Sequence, residues 1–384
     1  MAELDHSARS ARYPLVVRLV LGGLGGFVVL LFVLGSLRLL FFRGPARTPE
    51  PLPVRGLVDI HAHVAGIGAG DSGCFVSETM AKSYKYPIYL WALGVSEGEV
   101  MERGDRVAVE RLAEYVRASK HVDLAVLLAM DGIIVDGQLD RENTQVYIPN
   151  EFVARETARF DELAFGASIN PYRPDALDLL RKAREQGAVL VKWIPSIMHI
   201  DPADPAIEAF YRELVSLGIP LLTHTGMERS FLGARDDLCD PRRLALPLGL
   251  GVTVIAAHIA TTGTTEGQEN MERLIPMLNR YSNLYADISS LTQINKIGYL
   301  QEALRNESIQ SRLVFGSDWP LQFTPLVSPF YQCLDLDLQT MLHLQFLGNP
   351  FDRDVELKQA LGVPAAVFDR SRKILFGVHG ESGT

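Results

Sequence analysis

Eight short apolar runs recur along the chain, at residues 57–64, 124–130, 163–169, 189–194, 219–224, 252–258, 283–288 and 312–316, and a polar or amphipathic stretch follows each. Short runs that are apolar throughout, with little alternation, read as parallel strands buried on both faces. The intervening stretches have helical spacing. In 105–122, Val107, Val109, Leu112 and Val116 share one side. The stretches 175–186 and 206–217 end at Gly187 and Gly218, the residue type that closes a helix in a left-handed turn. Eight strands alternating with helices over about 260 residues predict one (β/α)8 TIM barrel. The alternative, an open doubly wound sheet, would call for a glycine-rich phosphate loop after the first strand, and none is there.

Two segments interrupt or extend the repeat. Residues 65–104 form a long insertion after the first strand, with Phe75, Tyr84, Tyr86, Tyr89 and Trp91, readable as a lid or specificity loop or as a packed surface excursion. Residues 321–384 form a helical tail. The N-terminus is of a different kind. Residues 19–37 are uncharged, and 19 residues at ~1.5 Å each approach the ~30 Å hydrocarbon core of a bilayer. Arg18, Arg38 and Arg43 flank the run, and no small-x-small cleavage site follows it closely. The expected organisation is a membrane anchor over 1–43, a Pro-rich tether over 44–56 and a barrel with its tail over 57–384. The protein would then be single-pass, with the barrel on the exported face. Charge agrees with a membrane and opposes nucleic acid. Seven arginines against Glu3, Asp5 and Glu50 give residues 1–56 a charge of +4, leaving −13 on the rest of a chain whose total is −9. Cys74, Cys239 and Cys333 have neither disulfide-framework nor metal-type spacing.

The chemistry-bearing residues follow the repeat. His61, His63, Lys192, His224, His258 and Asp318 all stand at the C-terminal ends of expected strands. From Lys192 onward they are spaced by one βα unit or two, so they rise to the same rim, where barrel active sites form. His61 and His63, two apart in a strand, share a face and can reach one metal. Asp131, Asn170 and Asp287 also end strands and can face the substrate or cap loops, with capping the favoured reading. Trp193 and Trp319 read as packing, and His199 as an exposed loop residue near Ser196. His6, His121, His343 and His379 lie off the pattern and are read as non-catalytic.

The motifs DIHAH at 59–63, VKWIP at 191–195, THTG at 223–226, AAH at 256–258 and GSDWP at 316–320 resemble the amidohydrolase superfamily. The closest resemblance is to its amidohydrolase 2 branch, which includes aminocarboxymuconate semialdehyde decarboxylase. It covers roughly residues 57–320, with a family-like helix around 365–376. It implies that His61, His63 and Asp318 bind a metal. In mononuclear members the equivalent of His224 completes the site, and that of His258 polarises substrate or shuttles a proton. In binuclear members a carboxylated lysine, here Lys192, bridges two ions, and His224 and His258 hold the second. Three imidazoles and a carboxylate suit Zn²⁺, although another divalent ion remains open; one ion is expected, with two as the alternative. The expected activity is hydrolysis of a small amide, ester or lactone, with Asp318 and His258 as catalytic residues. The alternative is non-oxidative decarboxylation of an aromatic or unsaturated acid, for which Arg155, Arg173 and Arg229 are candidate carboxylate clamps. A non-catalytic tethered barrel is the reading from another class. Family members often dimerise, so a homodimer is a further expectation.

Overall fold

The computed structural model describes residues 22–33, 52 and 56–377. Two units divide the chain: residues 49–327 with 347–384, and residues 1–48 with 328–346. The described parts of the second unit are a helix over 22–33, the 3-10 turn Pro329–Gln332 and the helix Leu338–Gln345. The membrane anchor is corrected here. Among the described residues, no helix is long and apolar enough to cross a membrane. The expectations of a single-pass membrane location, a membrane partner and an exported barrel fall with it. Residues 19–21 and 34–37 of that run, and the tether apart from Leu52 and Gly56, lie outside the described residues.

All eight expected strands are present in the first unit: β1 Leu57–His63, β2 Val122–Leu128, β3 Leu163–Ala167, β4 Leu190–Trp193, β5 Leu221–His224, β6 Val254–Ala257, β7 Leu284–Asp287 and β8 Leu313–Val314. They form one sheet in chain order, with every neighbouring pair parallel. Such an order requires a crossover after each strand, and amphipathic segments supply it, among them helices Arg106–Arg117, Ala176–Glu185, Glu208–Leu217 and Asn270–Arg280. The glycine stop is realised at Gly218, which closes its helix at φ 63°.

The curled sheet closes by a short seam between β1 and the chain beyond β8. Ala62 bridges Trp319 in parallel. His63 N donates to Trp319 O and Asp318 N to His61 O, both at 2.8 Å. Within β1 the register shifts between Asp59 and Ala62. The C-terminal helix Ala365–Phe376 packs on both sides of the seam: Ser371 Oγ donates to Phe315 O at 2.8 Å, and Arg372 Nε to Gly56 O at 2.9 Å.

The core joins Val58, Ile60, Val126, Leu128, Leu190, Leu222, Ile255, Ala257 and Val314, all essentially inaccessible. Leu190 and Leu222 lie two residues before Lys192 and His224 on the same faces, so this apolar layer is the floor beneath the rim. Gly166 of β3 makes room for it: a Cβ there would stand 2.6 Å from Leu128 Cδ2 and 3.0 Å from Val126 Cγ1. Overpacking at such a point costs about 1–3 kcal/mol. Gly166→Val should therefore lower the urea midpoint at unchanged m-value; an unchanged midpoint would show the floor to be loosely packed.

Candidate functional site

The strand ends gather the expected residues around a cavity of about 160 Å³, lined by His61, His63, Lys192, His224, His258 and Asp318. This is the scale of the ~150 Å³ cavities that admit one benzene ring. The insertion, with Glu78–Ala81, Lys85–Ala92 and Glu97–Arg103 helical, supplies much of the apolar wall through Val76, Met80, Tyr86, Tyr89, Leu90 and Leu93. It is pinned across the mouth: Lys85 Nζ donates to Arg229 O at 2.6 Å and Tyr89 Oη to Ser230 O at 3.4 Å.

His61 and His63 do share a face. Their Nε2 atoms are 3.1 Å apart, and each is 3.6 Å from Asp318 Oδ1. Lys192 Nζ lies 2.9 Å from His61 Nε2. His63 Nδ1 and His224 Nε2 are buried without a hydrogen-bond partner. Burial is the first cause that lowers every imidazole: His63 to about 3, His224 to about 4, His61 and His258 well below their ordinary value. At neutral pH all four are uncharged and have lone pairs to offer. Burial also raises the Asp318 carboxyl to about 7 and lowers Lys192 to about 8.

The tautomers are set by Asp287, which sequence reading assigns to loop capping. Its carboxylate can only accept, so His61 Nδ1 donates to Oδ2 at 2.8 Å and leaves Nε2 bare. Ser289 Oγ donates to Asp287 Oδ1 at 2.5 Å. That hydroxyl proton is then committed, so His258 Nδ1 donates to Ser289 Oγ at 2.7 Å and also presents a bare Nε2. Backbone strain accompanies this placement: His258, Ser290 and Asp318 lie at φ 59°, 52° and 67°, a left-handed region that bonds such as Asp318 N to His61 O hold them in.

The donor set fits one divalent ion. Ligands ~2.0–2.2 Å from a tetrahedral ion stand ~3.3–3.6 Å from one another, and the Nε2, Nε2 and Oδ1 atoms are separated by 3.1 and 3.6 Å. Two imidazole nitrogens at 3.1 Å otherwise need a proton between them. Among the described residues, His61, His63 and Asp318 form one cluster able to hold a metal, and His61, His258 and Asp287 another. The second is already bound together by hydrogen bonds through Asp287. His224 belongs to neither cluster; its ring centroid is 5.2 Å from that of His258.

A family model described as Amidohydrolase, the amidohydrolase-2 model, matches residues 58–325, well over half of the chain. The chain belongs to the amidohydrolase-2 family. A search of curated proteins gives no match. Among solved structures, the chain is similar to an uncharacterised TIM-barrel protein from Bordetella bronchiseptica, at 16% identity and TM-score 0.51, covering 80% of this chain and 99% of that one. Weaker likenesses are to a probable 2-pyrone-4,6-dicarboxylic acid hydrolase from Acinetobacter baumannii (15% identity, 84% and 99% covered, TM-score 0.48) and to 5-carboxyvanillate decarboxylase from Sphingomonas paucimobilis (11%, 84% and 99%, 0.43).

In this amidohydrolase-2 chain several expected residues are not at the cavity. Arg173 is paired bidentately with Asp131 at 2.6 and 2.7 Å, and Arg155 with Glu156 at 2.9 Å; of the three candidate clamps only Arg229 lines the cavity. Asn170 ties the loops, its Nδ2 donating to Gly132 O and Met198 O. Trp193 is fully buried, its Nε1 donating to Ile169 O at 2.8 Å. Cavity residues that went unread in the sequence include Glu228, 3.5 Å from His224 Nδ1; Ser290; and Lys296, whose Nζ donates to Ser290 Oγ at 2.6 Å. These three lie in loops beyond strand ends, where no periodicity marks them.

Proposed function

We propose that this chain is a metal-dependent hydrolase acting on a small amide, ester or lactone, with one Zn²⁺ held by His61, His63 and Asp318 and completed by His224. The convergence of two imidazole Nε2 atoms and a carboxylate oxygen on one point of the cavity carries this reading. A mainly nitrogen donor set favours zinc. Such an ion supplies Lewis acidity, which activates water and polarises a carbonyl. The chain's residues do the rest. Asp318 accepts a proton from water at its carboxylate and returns it to the leaving group. His258, whose ring stacks on that of His61 with centroids 5.1 Å apart and whose Nδ1 proton is held by Ser289, offers an uncharged Nε2 that accepts a hydrogen bond from substrate and orients it. The apolar wall of the insertion holds the substrate body and excludes water. The test is metal content of the purified full chain: about one zinc per chain, removed by a strong chelator together with turnover and restored with it. A folded chain that binds no zinc even when it is supplied would sink the reading and leave a non-catalytic barrel.

Decarboxylation is the second reading, favoured by Arg229 and Lys296. Both line the cavity, and neither is ion-paired among the described residues, although Lys296 is buried. Burial lowers the Lys296 ammonium below its ordinary value although Asp318, Glu228 and Asp287 favour its charge, and a substrate carboxylate would favour the charged form further. Release of CO2 from an aromatic acid without hydrolysis of any ester or lactone would select this reading.

A further inference from the structure

Behind the site, on the far side of the seam, lies a buried ion pair that nothing above uses. Lys358, in the helix Pro350–Ala360, is wholly inaccessible. Its Nζ donates to Asp354 Oδ2 at 2.6 Å and to the carbonyl of Gly316 at 2.9 Å. Gly316 stands where a barrel strand would pair with β1, yet β8 proper ends at Val314 and β1 is joined only further on, by the Ala62–Trp319 bridge and its two backbone hydrogen bonds. Lys358 thus satisfies the carbonyl that a longer ladder would have used. Asp59 plays the complementary part from β1. Its Oδ1 accepts from His61 N at 3.0 Å and Ser317 N at 2.9 Å, so a single oxygen ties the backbone beside Asp318 to the backbone of His61. A Cβ on Gly316 would come 2.9 Å from His61 Cβ, which shows how closely the two segments pass. Lys358 lies outside the residues matched by the family model.

We infer that Lys358 and Asp59 are positioning residues that set the separation between His61 and Asp318, and hence the metal affinity of the site; the tail helix is therefore part of the metal centre. The inference rests on the reading of His61, His63 and Asp318 as ligands. Removing an orienting partner of a metal ligand typically costs about 10- to 100-fold in affinity.

The test is zinc affinity of the full chain, measured by competition with a chromophoric chelator beside the thermal midpoint of the metal-free protein. Asp354→Asn/Lys358→Met removes both charges of the pair and avoids stranding a buried carboxylate. Asp59→Asn keeps an acceptor oxygen but removes its charge. Each is expected to weaken zinc binding about 10-fold or more, with a metal-free midpoint within a few degrees of wild type. Wild-type affinity in both folded variants overturns the inference. So does loss of the fold in both, because that would assign the residues to stability alone. A wild-type chain that binds no zinc instead overturns the reading of the site, which keeps the two failures distinct.

Discussion

Asp318→Asn is expected to lower kcat by about 10²- to 10⁴-fold while KM stays within a few-fold, measured on an ester or lactone that the wild-type chain turns over. The argument lies in the position of the carboxylate. Asp318 Oδ1 is 3.6 Å from both histidine Nε2 atoms, so it is able to share the ion and still exchange a proton. Burial raises the carboxyl of the metal-free chain to about 7, and a bound cation would bring it down, so at neutral pH the ionised form is the one that accepts a proton. Asparagine preserves shape and a donor oxygen but cannot accept the proton. The expected loss therefore falls on turnover, with substrate binding nearly intact. An unchanged kcat at full zinc occupancy would remove Asp318 from the proton path, and a rise in KM alone would recast it as a substrate contact.

His61→Ala/His63→Ala should bring zinc from about one per chain to background and abolish turnover, as read by elemental mass spectrometry beside an activity assay. The same change leaves Asp287 Oδ2 without its 2.8 Å donor and, in the metal-free chain, Lys192 Nζ without its 2.9 Å acceptor. A stranded buried partner costs about 1–3 kcal/mol, so the variant should also unfold at lower denaturant. The two effects separate cleanly: a wild-type chain stripped by chelator loses zinc and keeps these hydrogen bonds. If the double variant retained one zinc, the ion would have to sit among His224, His258 and Lys192. That result would favour the two-metal arrangement.

The barrel was legible because burial on both faces writes each strand as an unbroken apolar run, and glycines such as Gly218 punctuate the helices. His61, His63 and Asp318 were legible for a related reason: residues at strand ends inherit the period of the repeat. The supporting residues obey no such rule. Asp287 ends a strand like a capping aspartate, and only the fold shows its two oxygens reaching His61, Ser289 and the backbone of His258. Lys296 and Glu228 lie in loops, where side-chain direction depends on the tertiary path. Simple alternation would put Asp59 on the same face as His61 and His63, but the register shift after it leaves its carboxylate on the seam backbone. The anchor expectation failed for a different reason. An uncharged run reports solvent preference, whereas a span also requires a long apolar helix, and none is present among the described residues.

The seam has a consequence in time. Ser317 and His61 meet although they are 256 residues apart in sequence. During synthesis both histidines emerge early, while Asp318 emerges only after nearly the whole barrel has been made. In the proposed site two imidazoles alone would hold an ion weakly, so tight capture would wait until the first and last strands have met. Metal occupancy would then act as a timestamp, marking chains whose barrels have closed and distinguishing them from compact but unfinished ones.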